Sequence, residues 1–254
     1  MDAVATSISC SMSRISRIES GDIKVRSADV MELLSTYGVP MEDEAYKNLV
    51  EAARGLRAPS WWQRLGTLPS RYGTFIAYEA EATRLRTWEP VLIPGMLQTE
   101  AYARAVIGSG YLEADKVRER VEARMRRQKA LHASPALGVS AVVSEAAVRL
   151  EVGDPDLMAE QCAHLVDLCR RPGITVQVLR YAAGAHPAVA GSFALLDGPT
   201  FGTLGYVETL AGDLFLETPA EIDRLESTLA QLATMAMSPR ESVAWIKEIK
   251  EVWK

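Results

Sequence analysis

Three cysteines in 254 residues are too few and too oddly numbered for a disulfide framework, and the spacing of Cys162 and Cys169 matches no common zinc motif. Cys10, Cys162 and Cys169 are therefore expected to be reduced and buried. No apolar run reaches the roughly 18 residues of a membrane span, and the N-terminus lacks a basic region followed by an apolar stretch and a small-residue cleavage site. A cytoplasmic protein with no membrane partner is expected. Positive charge is not in excess: 28 Lys and Arg stand against 33 Asp and Glu, a net charge of −5. Any contact with nucleic acid must then come from a local patch. The chain has no Walker-type loop, no G-x-G-x-x-G after a strand and no G-x-S-x-G elbow, and His132 and His164 have no ligand at metal spacing. No cofactor, metal site or catalytic residue is assigned.

What is present is a chain with 48% hydrophobic residues, enough to bury a core. Val30, Leu33, Leu34 and Tyr37 have helical spacing, with Gly38 and Pro40 as the stop, and Asp43 to Leu56 reads as another helix. The stretch Ala58 to Trp62 is punctuated by proline and tryptophan, which sets a boundary near residue 60. Helical patterns follow over Tyr72 to Leu85, Thr99 to Ile107 with Thr99 as N-cap, and Glu113 to Leu131. Trp88 to Pro94 reads as irregular. Beyond it Leu137 to Val143, Ile174 to Leu179, Ser192 to Leu196, Leu204 to Glu208 and Leu214 to Glu217 read as strands. Helices are expected from about Asp156 to Arg170, Pro219 to Met237 and Pro239 to Val252. Short glycine-bearing turns favour antiparallel pairing of the last three strands. The expectation is an all-helical module over 1–60 and an α+β domain over 61–254, with an antiparallel sheet and flanking helices.

The segment Ser11 to Gly21 has the character of a recognition helix. Ser11, Ser13, Arg14 and Arg17 are the small polar and basic side chains that reach base edges and phosphates, and Ile15 and Ile18 supply a packing face. From Cys10 to Gly21 the chain resembles the Xre-type helix-turn-helix regulators, and the resemblance implies that the first helix of the motif is missing, since Met1 stands where it would start. Tyr78 to Ala82, Val91 to Thr99, Tyr102-Ala103, Arg124, Arg127-Gln128 and Tyr206 to Glu208 follow one another as in an actinobacterial family that joins this motif to a domain of unknown function. The resemblance implies an antitoxin-like transcriptional regulator, paired with a small protein from a neighbouring gene.

In the larger domain, Pro94, Gly95 and Thr99 read as a turn feeding a helix, with Gly95 taking a conformation closed to other residues. Gln98 and the amides beside Thr99 either serve that turn or hold an anion. Glu79 and Glu81 fall on different helical faces. Glu79, Glu145 and Glu208, with Arg124 or Arg127, form either a buried ion network or a ligand site. Arg120, Arg124 and Arg127 make a positive stripe, read as solvated surface or as a face for an acidic protein or DNA phosphates. His186 lies in a glycine-alanine loop, where side chains are positioned for a pocket. The ligand or partner set is Glu79, Gln98, Tyr102, Arg127, Glu145, His186 and Glu208. The function expected is a homodimeric DNA-binding regulator whose C-terminal domain takes a small-molecule effector or a small protein. The alternatives are an interaction module without DNA binding, or an enzyme built on this scaffold.

Overall fold

In the computed structural model, which describes residues 11–19, 25, 27–55, 70–110, 113–209 and 212–254, the chain divides into two units, Met1–Gly66 and Thr67–Lys254. The first is helical: α1 (Met12–Glu19), α2 (Ser27–Thr36) and α3 (Glu44–Gly55). Leu34 of α2 packs with Tyr46 and Val50 of α3, and Val30, Met31 and Val39 close around them. Gly38 ends α2 with φ of 74°, a conformation costly for a side chain, while the Val39 amide donates to the Leu34 carbonyl. The boundary near residue 60, Trp61, Trp62, Cys10, Ser20 and Gly21 lie outside the described residues.

The second unit is α+β. Its elements run α4 (Ser70–Glu81), β1 (Arg84–Glu89), α5 (Glu100–Gly108), α6 (Ala114–Arg127), β2 (Gly138–Ser144), α7 (Glu145–Arg149), α8 (Pro155–Leu168), β3 (Ile174–Leu179), β4 (Phe193–Gly198), β5 (Gly202–Thr209), β6 (Gly212–Leu216), α9 (Pro219–Met235) and α10 (Pro239–Val252). The strands form one sheet in the order β3-β2-β1-β4-β5-β6. β4, β5 and β6 pair antiparallel, as their short turns lead one to expect, but β1, β2 and β3 pair parallel, so the sheet is mixed. The parallel half follows from its connections: α5 and α6 separate β1 from β2, and α7 and α8 separate β2 from β3, long enough to return the chain in the same direction.

The centre of the sheet differs from the sequence expectation. The helix read over Tyr72 to Leu85 stops at Glu81, and part of the segment read as irregular belongs to β1, which pairs with both β2 and β4. Alternation is present there but disguised, because both faces carry polar groups: Leu85, Thr87 and Glu89 alternate with Arg86 and Trp88. Arg86 is held by Asp197 at 2.6 Å and Glu226 at 2.7 Å.

The strand alternation sorts the apolar residues into two cores. Trp88, Val142, Phe193 and Leu195 meet Leu229 and Leu232 of α9 on one face. Leu85, Val139, Val176, Leu196 and Tyr206 belong to the larger core with Phe75 of α4, Tyr102 of α5, Met158 and Leu165 of α8, and Ile246 of α10. Helix starts are capped locally. Thr99 accepts from the Tyr102 amide, and Thr218 and Ser238 form capping boxes with Glu221 and Glu241.

Candidate functional site

Beneath α4, α5 and α6 the sheet is not fully covered. A cavity of about 660 Å³ is lined by Tyr72 and Phe75 of α4, Leu85, Thr87 and Glu89 of β1, the turn Pro94 to Met96, and Val106 and Ile107 of α5. Arg120, Arg124 and Arg127 of α6, Ala194 of β4, Tyr206 and Glu208 of β5, and Asp213 of β6 also line it. The three arginines are spaced i, i+4, i+7, which puts them on one side of α6. That side borders the cavity, so the positive stripe forms part of its wall.

Arg127 is buried and grips Glu79 with two hydrogen bonds, Nε to Oε1 at 2.7 Å and Nη2 to Oε2 at 2.6 Å. It also donates to the Tyr72 hydroxyl and lies 5.3 Å from the ring centres of both Tyr72 and Phe75. Burial pulls the Arg127 pKa down, but the Glu79 carboxylate outweighs it and holds the guanidinium above its ordinary value. Phe75 in turn stacks on Tyr206, ring centres 4.2 Å apart. Burial, with Glu208 and Asp213 nearby, raises the Tyr206 phenol well above its usual value.

Glu89 has no such partner. Its carboxylate accepts a long hydrogen bond from the Thr87 hydroxyl at 3.4 Å and makes no ion pair among the described residues. Burial raises its pKa to about 8; Glu208 adds to the rise, while Thr87 and Arg124 oppose it. At neutral pH this carboxyl therefore holds a proton inside the cavity, a state characteristic of functional sites. Glu208, an exposed member of the lining, sits directly opposite Asp213 across the β5–β6 ladder.

The turn before α5 serves the fold. The Thr99 amide donates to Gln161 Oε1 at 2.7 Å, Gln161 Nε2 donates to the Leu97 carbonyl, and Gln98 Nε2 donates to the Ile93 carbonyl. Gln98 Oε1 accepts from Arg124 Nη1 at 2.7 Å. The Gln98 side chain and the Thr99 amide are thus engaged within the protein. Gly95 has no positive φ. It lies close to Arg124, and a Cβ there would stand at an ordinary contact distance of 3.5 Å from Arg124 Nε.

Of the residues singled out in the sequence, Arg127 and Glu208 line the cavity, Glu79 acts on it through Arg127, and Gln98 acts through Arg124. Tyr102 is buried next to the turn, its hydroxyl accepting from the Ile93 amide at 3.3 Å. Glu145 and His186 are elsewhere. Glu145 starts α7 and binds Arg149, Arg180 and the Tyr181 amide. Burial works against its charge, but those three partners hold its pKa below the usual range. Both arginines also lie over the Trp245 ring, at 5.4 and 4.7 Å. His186 meets the edge of Trp88 and accepts from the Ala188 amide. Glu89, Arg120, Arg124, Tyr206 and Asp213 also line the cavity and do not belong to the set expected from the sequence. Glu89 could have been found by asking why a carboxylate follows Leu85 and Thr87 at strand spacing.

In the first unit, Ser11, Ser13 and Arg17 are exposed on or next to α1, and Ile15 is buried. The Arg14 side chain lies outside the described residues. Among the described residues no helix is long and apolar enough to cross a membrane. Cys162 is a free, buried thiol whose pKa burial raises to about 11, Cys169 is free and half-buried, and no group of three His, Cys, Asp or Glu residues could hold a metal ion among the described residues. A family model described as Domain of unknown function (DUF5753) matches residues 72–248. The chain belongs to that family. No curated protein and no solved structure matches it.

Proposed function

We propose that this member of the DUF5753 family is a ligand-responsive transcriptional regulator, in which the helical unit contacts DNA through α1 and the α+β unit takes a small organic effector into its cavity. The cavity carries the reading. Its volume falls in the range of small-molecule sites, it mixes aromatic walls with a few charged groups, and it contains a carboxyl with a strongly raised pKa. The DNA contact is supported by the resemblance of Cys10 to Gly21 to the Xre-type motif, and by exposed Ser13 and Arg17 on a helix whose Ile15 is buried. Two copies would meet two half-sites about one helical turn apart, the arrangement usual for such motifs.

The test is a titration of the full chain against its own upstream promoter DNA at two salt concentrations, with scrambled DNA as control. Sequence-selective, salt-sensitive binding is expected. Arg14→Ala and Arg17→Ala should each weaken it, with the loss of a phosphate contact lowering the salt slope by roughly one. Undiminished binding in both variants contradicts the contact through α1, and no binding by the unaltered chain leaves the α+β unit as the functional part.

A further inference from the structure

Resting on the reading of the cavity as a small-molecule site, we infer that its ligand is an amphoteric amino compound. Its head resembles that of an α-amino acid, with the ammonium against Glu89 and Glu208, the acid group on Arg124, and an aromatic or apolar body beside Phe75 and Tyr206.

The charges in the cavity are sorted by element. Carboxylates come from the sheet, as Glu89 of β1, Glu208 of β5 and Asp213 of β6, and guanidinium groups come from α6. Arg127 is already neutralised by the two hydrogen bonds of Glu79. Arg124 is not neutralised in this way. Its Nη1 is spent on the neutral amide of Gln98, while its Nε is buried with no hydrogen-bond partner among the described residues. A buried donor left unmade costs stability, so an acceptor supplied by a ligand is favoured there. Gly95, which also lines the cavity, lies against that nitrogen: a Cβ there would stand 3.5 Å from it, in space an acceptor would need.

The sheet side presents the opposite demand. Glu89 has only the 3.4 Å bond from Thr87 and faces a second carboxylate in Glu208. A cation between them would satisfy both. Glu89 and Arg124 act on one another electrostatically without closing an ion pair, so an ammonium and a carboxylate carried on a single carbon fit between the two walls. A simple cation would leave Arg124 Nε without its acceptor. A simple anion would meet Glu208 and Asp213 and leave Glu89 unrelieved. The remaining lining, with stacked Phe75 and Tyr206 and the aliphatic Val106 and Ile107, suits an apolar body, and about 660 Å³ accommodates one larger than a single ring.

Tryptophan, tryptamine, indole-3-propionate and 3-methylindole share a ring and differ in charge, so they separate the head from the body. Titrated calorimetrically into the full chain at pH 7, tryptophan should bind roughly ten-fold or more tightly than each of the others, the effect of one hydrogen bond to a charged group. Glu89→Gln should abolish its advantage over indole-3-propionate, and Arg124→Gln its advantage over tryptamine. Retained binding of 3-methylindole by both variants shows that the cavity is intact. Equal affinity across the four, or tightest binding by the anion or the neutral ring, overturns the charge assignment but leaves the cavity as a small-molecule site. No binding by any of the four at millimolar concentration overturns both.

Discussion

The two halves of one sheet face are covered in different ways. Over β2 and β3 the covering helices α8 and α10 bring Met158, Cys162, Leu165, Ile246 and Ile249, all buried, and the contact is apolar at its centre, with a cavity left at the outer edge, between Ile174 to Val176 of β3 and Val243 and Lys247 of α10. Over β1, β4, β5 and β6 lie helices α4, α5 and α6, the last bringing three arginines to a sheet surface that carries carboxylates, and a cavity stays open. Apolar layers seal because any gap forfeits contacts and nothing compensates the loss. Charged layers remain open because each buried ion requires a partner at hydrogen-bonding distance, and a wall built to satisfy some of them leaves others for a ligand. Glu79 and Glu89 show the same contrast within the open half. One has a bidentate arginine, and the other keeps its proton.

The sharpest way to break the contrast is to remove the partner that Arg127 has. Glu79→Ala leaves a buried guanidinium unpaired and should cost about 3–5 kcal/mol in urea unfolding. Adding Arg127→Met should restore most of that loss, and a double variant as unstable as the single one would mean that the pair is not what holds this wall. Leu165→Ala addresses the sealed half. It opens a hole under a residue with 1% exposure and should cost about 3 kcal/mol, with no change in ligand affinity in the open half.

Glu89 makes stability depend on pH. The unfolded chain releases this proton near 4.5 and the folded chain keeps it to about 8, so between these values the folded state holds more protons and stability falls as pH rises. Above 8 the contribution is flat. Discounted for the side open to the cavity, the fall should be about 2 kcal/mol between pH 5 and pH 8 by denaturant midpoint. Glu89→Gln should remove it, and an unchanged slope in that variant would place the titrating group elsewhere. The smallest effect is expected at Gly95→Ala. Its Cβ finds ordinary contact distance from Arg124 Nε and no unfavourable φ, so stability should stay within about 0.5 kcal/mol while tryptophan binding weakens.

The sealed half was the more legible one in the sequence. Continuous or regularly spaced apolar residues mark β2, β3, α8 and α10 within a few residues of their observed ends. The open half was read less well, for a physical reason. β1 is the central strand yet carries Arg86 on one face and Thr87 and Glu89 on the other, so its polar residues masked the period of two. The α6 arginines were visible as a stripe, but spacing places residues on a common side without saying whether that side meets water or a cavity. Charge singles out Glu145 and loop position singles out His186, and neither property reports distance. Glu145 is satisfied by its own arginines, and His186 packs on Trp88.

The most direct test of the open half as an amphoteric ligand site is a proton count. Calorimetric titration of tryptophan at pH 7, in two buffers of different ionisation enthalpy, reads the protons released on binding. An ammonium placed on Glu89 should expel its proton, so the wild-type protein should release close to one proton per ligand and Glu89→Gln none. Equal release from both, or none from the wild type with binding intact, would contradict the placement of the ammonium at Glu89.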